Sequence, residues 1–103
     1  MTGVPNRSRP QRPFLVNAGT SATALSATEY LCKAVLIMND DGVGANSNSE
    51  RMIVGDSGIV NTDPGFLPGQ GIVYEAAPGT LLDLATIFVT KPVAEPVTVY
   101  AMG

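Results

Sequence analysis

The sequence predicts an all-β protein, with a single antiparallel β-sandwich or jelly-roll-like domain that follows an extended N-terminal arm. Short apolar runs rich in Val, Ile, Thr, Tyr and Phe recur along the chain, which is typical of strands. Eleven Gly and eight Pro in 103 residues provide turns between these runs and argue against long helices. No segment carries apolar residues at the i, i+3, i+4, i+7 spacing of an amphipathic helix.

Residues 1–13 form the predicted arm, and residues 14–103 the β-sandwich domain. Proline fixes φ and biases the preceding residue toward extended geometry, so the prolines of this segment exclude a helix. Its three arginines are half of the basic residues in the chain. We interpret the segment as a basic arm that lies on an acidic partner surface, the alternative being a solvated tail. The residues assigned to partner binding are Arg7, Arg9, Pro10, Arg12, Pro13 and Phe14.

The strands are predicted from the apolar runs in chain order. They are residues 14–16, 22–27, 31–38, 51–54 with 59–60, 71–76, 81–84 leading into 85–90, and 97–102. Both faces of the run 31–38 are mostly apolar, which indicates an inner strand or one covered by another subunit. In the last run, Val97 and Val99 share one face, and Thr98 and Tyr100 share the other. Residues 20–30 are the best helix candidate, although their small residues suit strands as well.

Residues 39–50 are twelve loop-forming residues between two predicted strands. Their Asp, Asn and Glu side chains supply oxygen ligands of the kind that Ca²⁺ takes, but the spacing matches an EF-hand loop only loosely. We therefore predict a loop that faces solvent or a neighbour and leave calcium as the less favoured alternative.

Catalysis is not predicted. The chain has no His, the commonest general base and metal ligand, and a single Cys, Cys32, inside an apolar run. The run Gly55–Gly58 (GDSG) lacks the spacing of a serine nucleophile motif, so it is interpreted as a tight turn capped by Asp56. The sequence thus predicts a protein that is not an enzyme and has no cofactor or metal.

The charge distribution bears on partners. Residues 14–103 hold three basic and nine acidic residues, a net charge of −6. An acidic body with scattered aromatic residues does not predict nucleic-acid binding. No apolar run approaches the roughly 20 residues of a membrane-spanning helix.

Several short motifs of the body occur together in one class of proteins. They are VNAGT (16–20), ALSAT (24–28), AVLI (34–37), IVGDSGIV (53–60), GFLPGQ (65–70), LDL (82–84) with IFV (87–89), and VTVY (97–100). In this combination residues 14–103 resemble a family of small virion proteins encoded by tailed bacteriophages. The arm is not part of the shared pattern.

The resemblance implies an antiparallel β-sandwich, often jelly-roll-like, that decorates or cements the exterior of the phage head. The implied partners are the major capsid protein, whose acidic surface the arm would contact, and further copies of the chain. A homotrimer at local three-fold positions is expected, and a dimer at two-folds stays open. The protein would be made in the host cytoplasm and located on the virion.

An alternative is a receptor- or carbohydrate-binding module of a tail or head fibre. Tyr30, Phe66 and Tyr74 would then be the platform for sugar stacking.

Overall fold

The computed structural model describes residues 12–103, and these are all-β, as predicted. Their only helical segment is one turn of 3₁₀-helix at Leu84–Thr86, which Asp83 caps by accepting a hydrogen bond from the Ala85 N–H. Within this range there is no helix long and apolar enough to cross a membrane. The strands are β1 (Phe14–Ala18), β2 (Thr23–Ala24), β3 (Leu31–Cys32), β4 (Ala34–Met38), β5 (Ile53–Gly55), β6 (Gly71–Glu75), β7 (Leu82–Asp83), β8 (Phe88–Thr90) and β9 (Glu95–Met102).

The strands form three antiparallel sheets. The largest has four strands in the order β1-β9-β4-β6, and the others have the orders β2-β8-β5 and β3-β7. Strand β9 is the longest and lies between β1 and β4. The C-terminal strand therefore pairs with the first strand on one side and with the apolar strand β4 on the other. Strand β4 lies between β9 and β6, which confirms the prediction of an inner strand.

One apolar core is built from residues of all three sheets. In the four-strand sheet every second residue of β4 and β9 points into it, as the period of two requires. The buried core residues are Ala18, Leu25, Cys32, Val35, Ile37, Met52, Leu84, Val89, Val97, Val99 and Ala101.

The predicted strand 31–38 is wrong as a single element, because the chain changes sheets at Lys33. Residues before Lys33 pair with β7, whereas those after it pair with β9 and β6. The break shifts the alternation by one residue. A continuous strand 31–38 would place Cys32 on the face of Leu36, but Cys32 is buried in the core together with Val35 and Ile37.

Two further local predictions differ from the structure. Residues 20–30 contain the short strand β2 and no helix. Residues 59–60 are not a strand. The Ile59 N–H donates to the Asp56 carbonyl and the Val60 N–H to the Asp63 carboxylate, so neither N–H is available to pair with another strand. The Asp56 cap is confirmed, since its Oδ1 accepts from the Gly58 N–H at 2.8 Å.

Candidate interaction surface

The outer face of the four-strand sheet, on the side away from the core, is largely apolar. In antiparallel pairs the two opposed residues share a face, so the register aligns Tyr100, Leu36 and Val73 in one row across β9, β4 and β6. The exposed fractions are 56 % for Val73, 55 % for Leu15, 43 % for Met102 and 39 % for Tyr100. We call Leu15, Ala34, Leu36, Val73, Tyr100 and Met102 the outer face.

Charge is confined to the margin of this face. Among the described residues that β1, β9, β4 and β6 direct outward, Glu75 at the end of β6 is the only ionisable carboxyl or amine. A shallow depression of about 350 Å³ lies between Ala34, Leu36, Val73, Tyr100 and Met102. Contiguous exposed apolar areas are typical of surfaces that bind another molecule, which makes the outer face a candidate interaction surface.

The described end of the arm reaches one side of the outer face. A second shallow depression there is lined by Pro13, Leu15, Thr98 and Tyr100, together with Gly42 of the loop 39–50. Arg12 and Pro13 are exposed, whereas the Phe14 ring packs on Tyr30 with a centroid separation of 5.7 Å. Three of the residues assigned to partner binding are therefore described, and they are neighbours in sequence that do not form a common site. Arg7, Arg9 and Pro10 lie outside the described residues.

The aromatic residues proposed for sugar stacking do not form an exposed platform. Tyr30, Phe66 and Tyr74 are partly buried and pack against the core. Tyr100 is the exposed aromatic residue of the described chain, and the platform proposed from the sequence did not include it. A signal for it was present in the alternation of β9, which directs Tyr100 away from Val97 and Val99.

A buried polar cluster lies at the end of the core, and sequence reasoning missed it. Lys91 and Asn39 follow β8 and β4 directly, and both are 0 % exposed. The Lys91 Nζ donates to Asn39 Oδ1 at 2.6 Å, to Glu95 Oε1 at 2.8 Å and to the Glu50 carbonyl at 3.3 Å. We call Asn39, Asn48, Lys91 and Glu95 the polar cluster.

The same cluster attaches the loop 39–50 to the sheet. The Asn48 Nδ2 donates to Asn39 Oδ1 at 3.0 Å and to the Pro96 carbonyl at 2.7 Å. The Glu95 carboxylate accepts from the N–H groups of Ser49 and Glu50 and from the Ser49 hydroxyl. Every buried side-chain nitrogen and oxygen in the described residues has a hydrogen-bond partner, so the cluster is fully satisfied.

The electrostatics of Glu95 follow from these contacts. Burial alone raises the pKa of its carboxyl, but the hydrogen bonds from Lys91, Ser49 and Glu50 outweigh burial and lower the pKa from 4.5 to about 2. Glu95 is therefore a carboxylate at neutral pH and forms an ion pair with Lys91.

The carboxylates of the loop are occupied by the loop's own backbone. Asp41 accepts from Ser47 and from the Val43 N–H, and these hydrogen bonds lower its pKa. Asp40 accepts from the Gly42 N–H. Within residues 12–103, no group of three or more His, Cys, Asp or Glu side chains lies close enough together to hold a metal ion.

The single cysteine has the environment of a buried apolar residue. Cys32 is 1 % exposed, and burial together with the nearby Asp83 carboxylate raises the pKa of its thiol. A raised pKa leaves little thiolate at neutral pH, which makes the side chain a poor nucleophile.

Comparison of the chain with models of protein families, with curated proteins and with solved structures gave no match.

Proposed function

We propose that this chain is a non-enzymatic virion structural protein that decorates or cements the outside of a phage head by binding across capsomers. The observation that carries the proposal is the outer face, an apolar sheet surface that extends to Pro13, the last residue of the basic arm. The motif resemblance supports the virion context. A sandwich or jelly-roll-like arrangement of the three sheets belongs to the same proposal.

A decoration protein acts by adhering to the shell, and it performs no chemistry on a substrate. A protein that binds only the assembled shell stabilises that shell by mass action. The outer face offers apolar area whose burial contributes roughly 25 cal/mol per Å². The three arginines of the arm add salt-sensitive attraction to an acidic capsid surface.

Co-sedimentation with phage heads that lack this protein tests the proposal. We expect the full chain to sediment with the heads and to dissociate as salt rises from about 50 to 500 mM, because salt screens the arm's attraction. Changing Arg7, Arg9 and Arg12 together to Glu should abolish binding. The double change Tyr100→Ser and Met102→Ser should weaken binding by more than about tenfold.

The matched control is Leu81→Ser, an exposed leucine outside the outer face. It should bind as the unchanged chain does. Absence of the full chain from the pellet at every salt concentration would contradict the proposal, and so would arm and face variants that bind normally.

Self-association is the second part of the proposal, and the edge strand β6 supports a dimer over the trimer. The Ala76 N–H donates to the Lys33 carbonyl and the Asn39 N–H to the Gln70 carbonyl, both at 2.8 Å. Because such pairs alternate along an antiparallel ladder, the backbone groups of Gly71, Val73 and Glu75 point away from β4. No strand within residues 12–103 covers them.

This edge is complementary to itself about a two-fold axis at Val73. Antiparallel pairing of two β6 strands sets Val73 opposite Val73 and Gly71 opposite Glu75, so six N–H groups find carbonyl acceptors. Glu75 then faces a glycine. The two Glu75 residues are separated by four positions, roughly 13 Å, which exceeds the physiological screening length of about 8 Å.

The opposite edge suits such pairing less well. By the same alternation, the outward backbone positions near the start of β1 are Pro13, Leu15 and Asn17, and proline has no N–H to donate. A β6 dimer would also join two outer faces into one wider apolar surface.

A further inference from the structure

The polar cluster contains three groups that are chemically matched for amide exchange. Lys91 supplies an amine, Asn39 a carboxamide and Glu95 a carboxylate that contacts the amine. We propose that Lys91 and Asn39 are joined by a covalent isopeptide bond, formed by the folded chain itself with release of ammonia. The proposal is independent of the virion role, since it depends only on this cluster.

The geometry places the reacting atoms within reach. The Lys91 Nζ lies 2.6 Å from Asn39 Oδ1, and since a C=O bond is about 1.23 Å long, Nζ is within about 3.8 Å of the carboxamide carbon. Both side chains are 0 % exposed. Their backbones are held as well, because the Asn39 N–H donates to the Gln70 carbonyl and the Lys91 N–H to the Gly19 carbonyl. Groups fixed near attack distance react with very high effective concentrations, and one slow turnover per chain is sufficient.

Glu95 is the group that moves protons. Its Oε1 accepts a proton from the Lys91 ammonium at 2.8 Å, which leaves a neutral amine as nucleophile. Burial penalises charge, so it reduces the cost of exchanging the ion pair for two neutral groups, against the hydrogen bonds that favour the carboxylate. Only 14 % of the Glu95 side chain is exposed, so the exchange is largely shielded from water.

The bond changes balance. The amine nitrogen attacks the Asn39 carboxamide carbon, a C–N bond forms, and the carbonyl electron pair moves onto Oδ1. The Asn48 Nδ2–H, which already donates to Oδ1 at 3.0 Å, stabilises the developing negative charge. The nitrogen derived from Lys91 then loses a proton through Glu95, the bond from the carbon to Nδ2 breaks, and Nδ2 departs with that proton as ammonia. The ammonia takes the remaining proton from Glu95 and leaves as ammonium, which restores the carboxylate.

The product satisfies the hydrogen bonds that the reaction disturbs. In the unlinked state Asn39 Nδ2 donates to the carbonyls of Glu50 and Phe66. After its loss the Phe66 carbonyl keeps the Met52 N–H as donor, and the Glu50 carbonyl lies 3.3 Å from the Lys91 nitrogen. Oδ1 keeps its bond from Asn48. The Glu95 carboxylate keeps its donors from Ser49 and Glu50, so no buried acceptor is left without a donor in the linked state.

Mass spectrometry of the purified full chain tests the proposal. We expect the unfolded protein to be lighter than its sequence by about 17 Da, the mass of ammonia. After trypsin digestion, residues 34–51 should remain attached to a peptide that contains Lys91, and fragmentation should locate the link at Asn39. This peptide is decisive, because cyclisation of an asparagine to a succinimide also releases ammonia but joins no second peptide.

Variants separate the roles. Lys91→Arg and Asn39→Ala should have their full sequence masses, and Glu95→Gln should remain unlinked. Asn48→Ala should form the link more than about tenfold more slowly, as expected for loss of a donor to the developing oxyanion. Lys33→Arg, the matched control at a lysine outside the cluster, should retain the mass deficit. A full sequence mass for the unchanged chain, or a deficit that persists in Lys91→Arg, would overturn the proposal.

Discussion

Lys91 has the most unusual environment of the described residues, because it is fully buried and lysine is almost never fully buried unless it is paired. Here the ammonium has three acceptors within 3.3 Å, and Glu95 is the charged one. Glu95 in turn accepts from two backbone N–H groups of the loop 39–50. One carboxylate therefore neutralises the buried cation and also fixes the loop.

Glu95→Gln should destabilise the fold by about 3 kcal/mol or more, because it leaves a buried amine without its counter-charge and turns an amide toward the loop's N–H groups. Thermal unfolding followed by circular dichroism measures the effect. Glu75→Gln, a change of the same type at the exposed end of β6, is the control and should unfold within about 0.5 kcal/mol of the unchanged chain. Equal melting temperatures for the two variants would contradict this role of Glu95.

Acid should unfold the protein through the same residue. The folded pKa of Glu95 is about 2, below its ordinary value of 4.5, so its stabilising contribution is present above 4.5 and is lost as pH falls toward 2. The direction is the same whether the Lys91 nitrogen is an ammonium or an amide, because Ser49 and Glu50 still donate. Denaturant titrations between pH 6 and pH 2 should show this loss, and Glu95→Gln should lack that part of it.

The loop 39–50 is the element whose behaviour the cluster governs. Its ends are held by Asn39 and Glu50, and Asn48, two residues before Glu50, is 8 % exposed within an otherwise exposed run. The loop also covers part of the sheet, since Thr98 donates to the Asp40 carbonyl and Gly42 approaches Leu15.

Asn48→Ala should release this loop from the sheet. The change removes two buried hydrogen bonds and leaves the Pro96 carbonyl unpaired, at a cost of about 1–3 kcal/mol. Amide hydrogen exchange should become faster in residues 40–50, while β4 and β9 stay protected. Val43→Ala, at the exposed tip of the loop, should leave exchange unchanged. Faster exchange throughout the sheet would show that Asn48 supports the core as well as the loop.

The whole molecule combines a fixed core with two open surfaces, the outer face and the β6 edge. The core uses one side of the four-strand sheet, and Leu15, Val73, Tyr100 and Met102 on the other side stay exposed within residues 12–103. The edge has no proline or lysine within Gly71–Glu75 to block pairing. The proposed contacts with the capsid and with a second copy of the chain would use these two surfaces.

Charge at position 73 should control the proposed dimer. Val73→Lys and Val73→Glu each set like charges opposite one another at the two-fold axis and should raise the dimer dissociation constant more than about tenfold. An equimolar mixture of the two variants should dimerise again, because opposite charges then meet. Sedimentation equilibrium of the full chain measures all three samples.

Two controls distinguish edge pairing from other contacts. Leu15→Lys alters the opposite edge, and Met102→Lys alters the outer face away from β6; both should leave the dimer intact. A trimer, a monomer at every concentration, or a dimer that Val73→Lys leaves unchanged would contradict β6 pairing.

Local patterns in the sequence were enough to predict the all-β class, most strand positions, the inner location of β4, the Asp56 turn and the alternation of β9. These depend on interactions between near neighbours, where a period of two and turn chemistry are directly legible. Contacts between distant parts of the chain set three other features: the change of sheets at Lys33, the burial of Lys91 with Asn39, and the side on which the sheet stays uncovered. Asn39 and Lys91 are 52 residues apart, and their contact exists only because β4 and β8 end at the same place in the folded chain. A loop predicted to face solvent or a neighbour is therefore attached to the core by residues that no local pattern could pair.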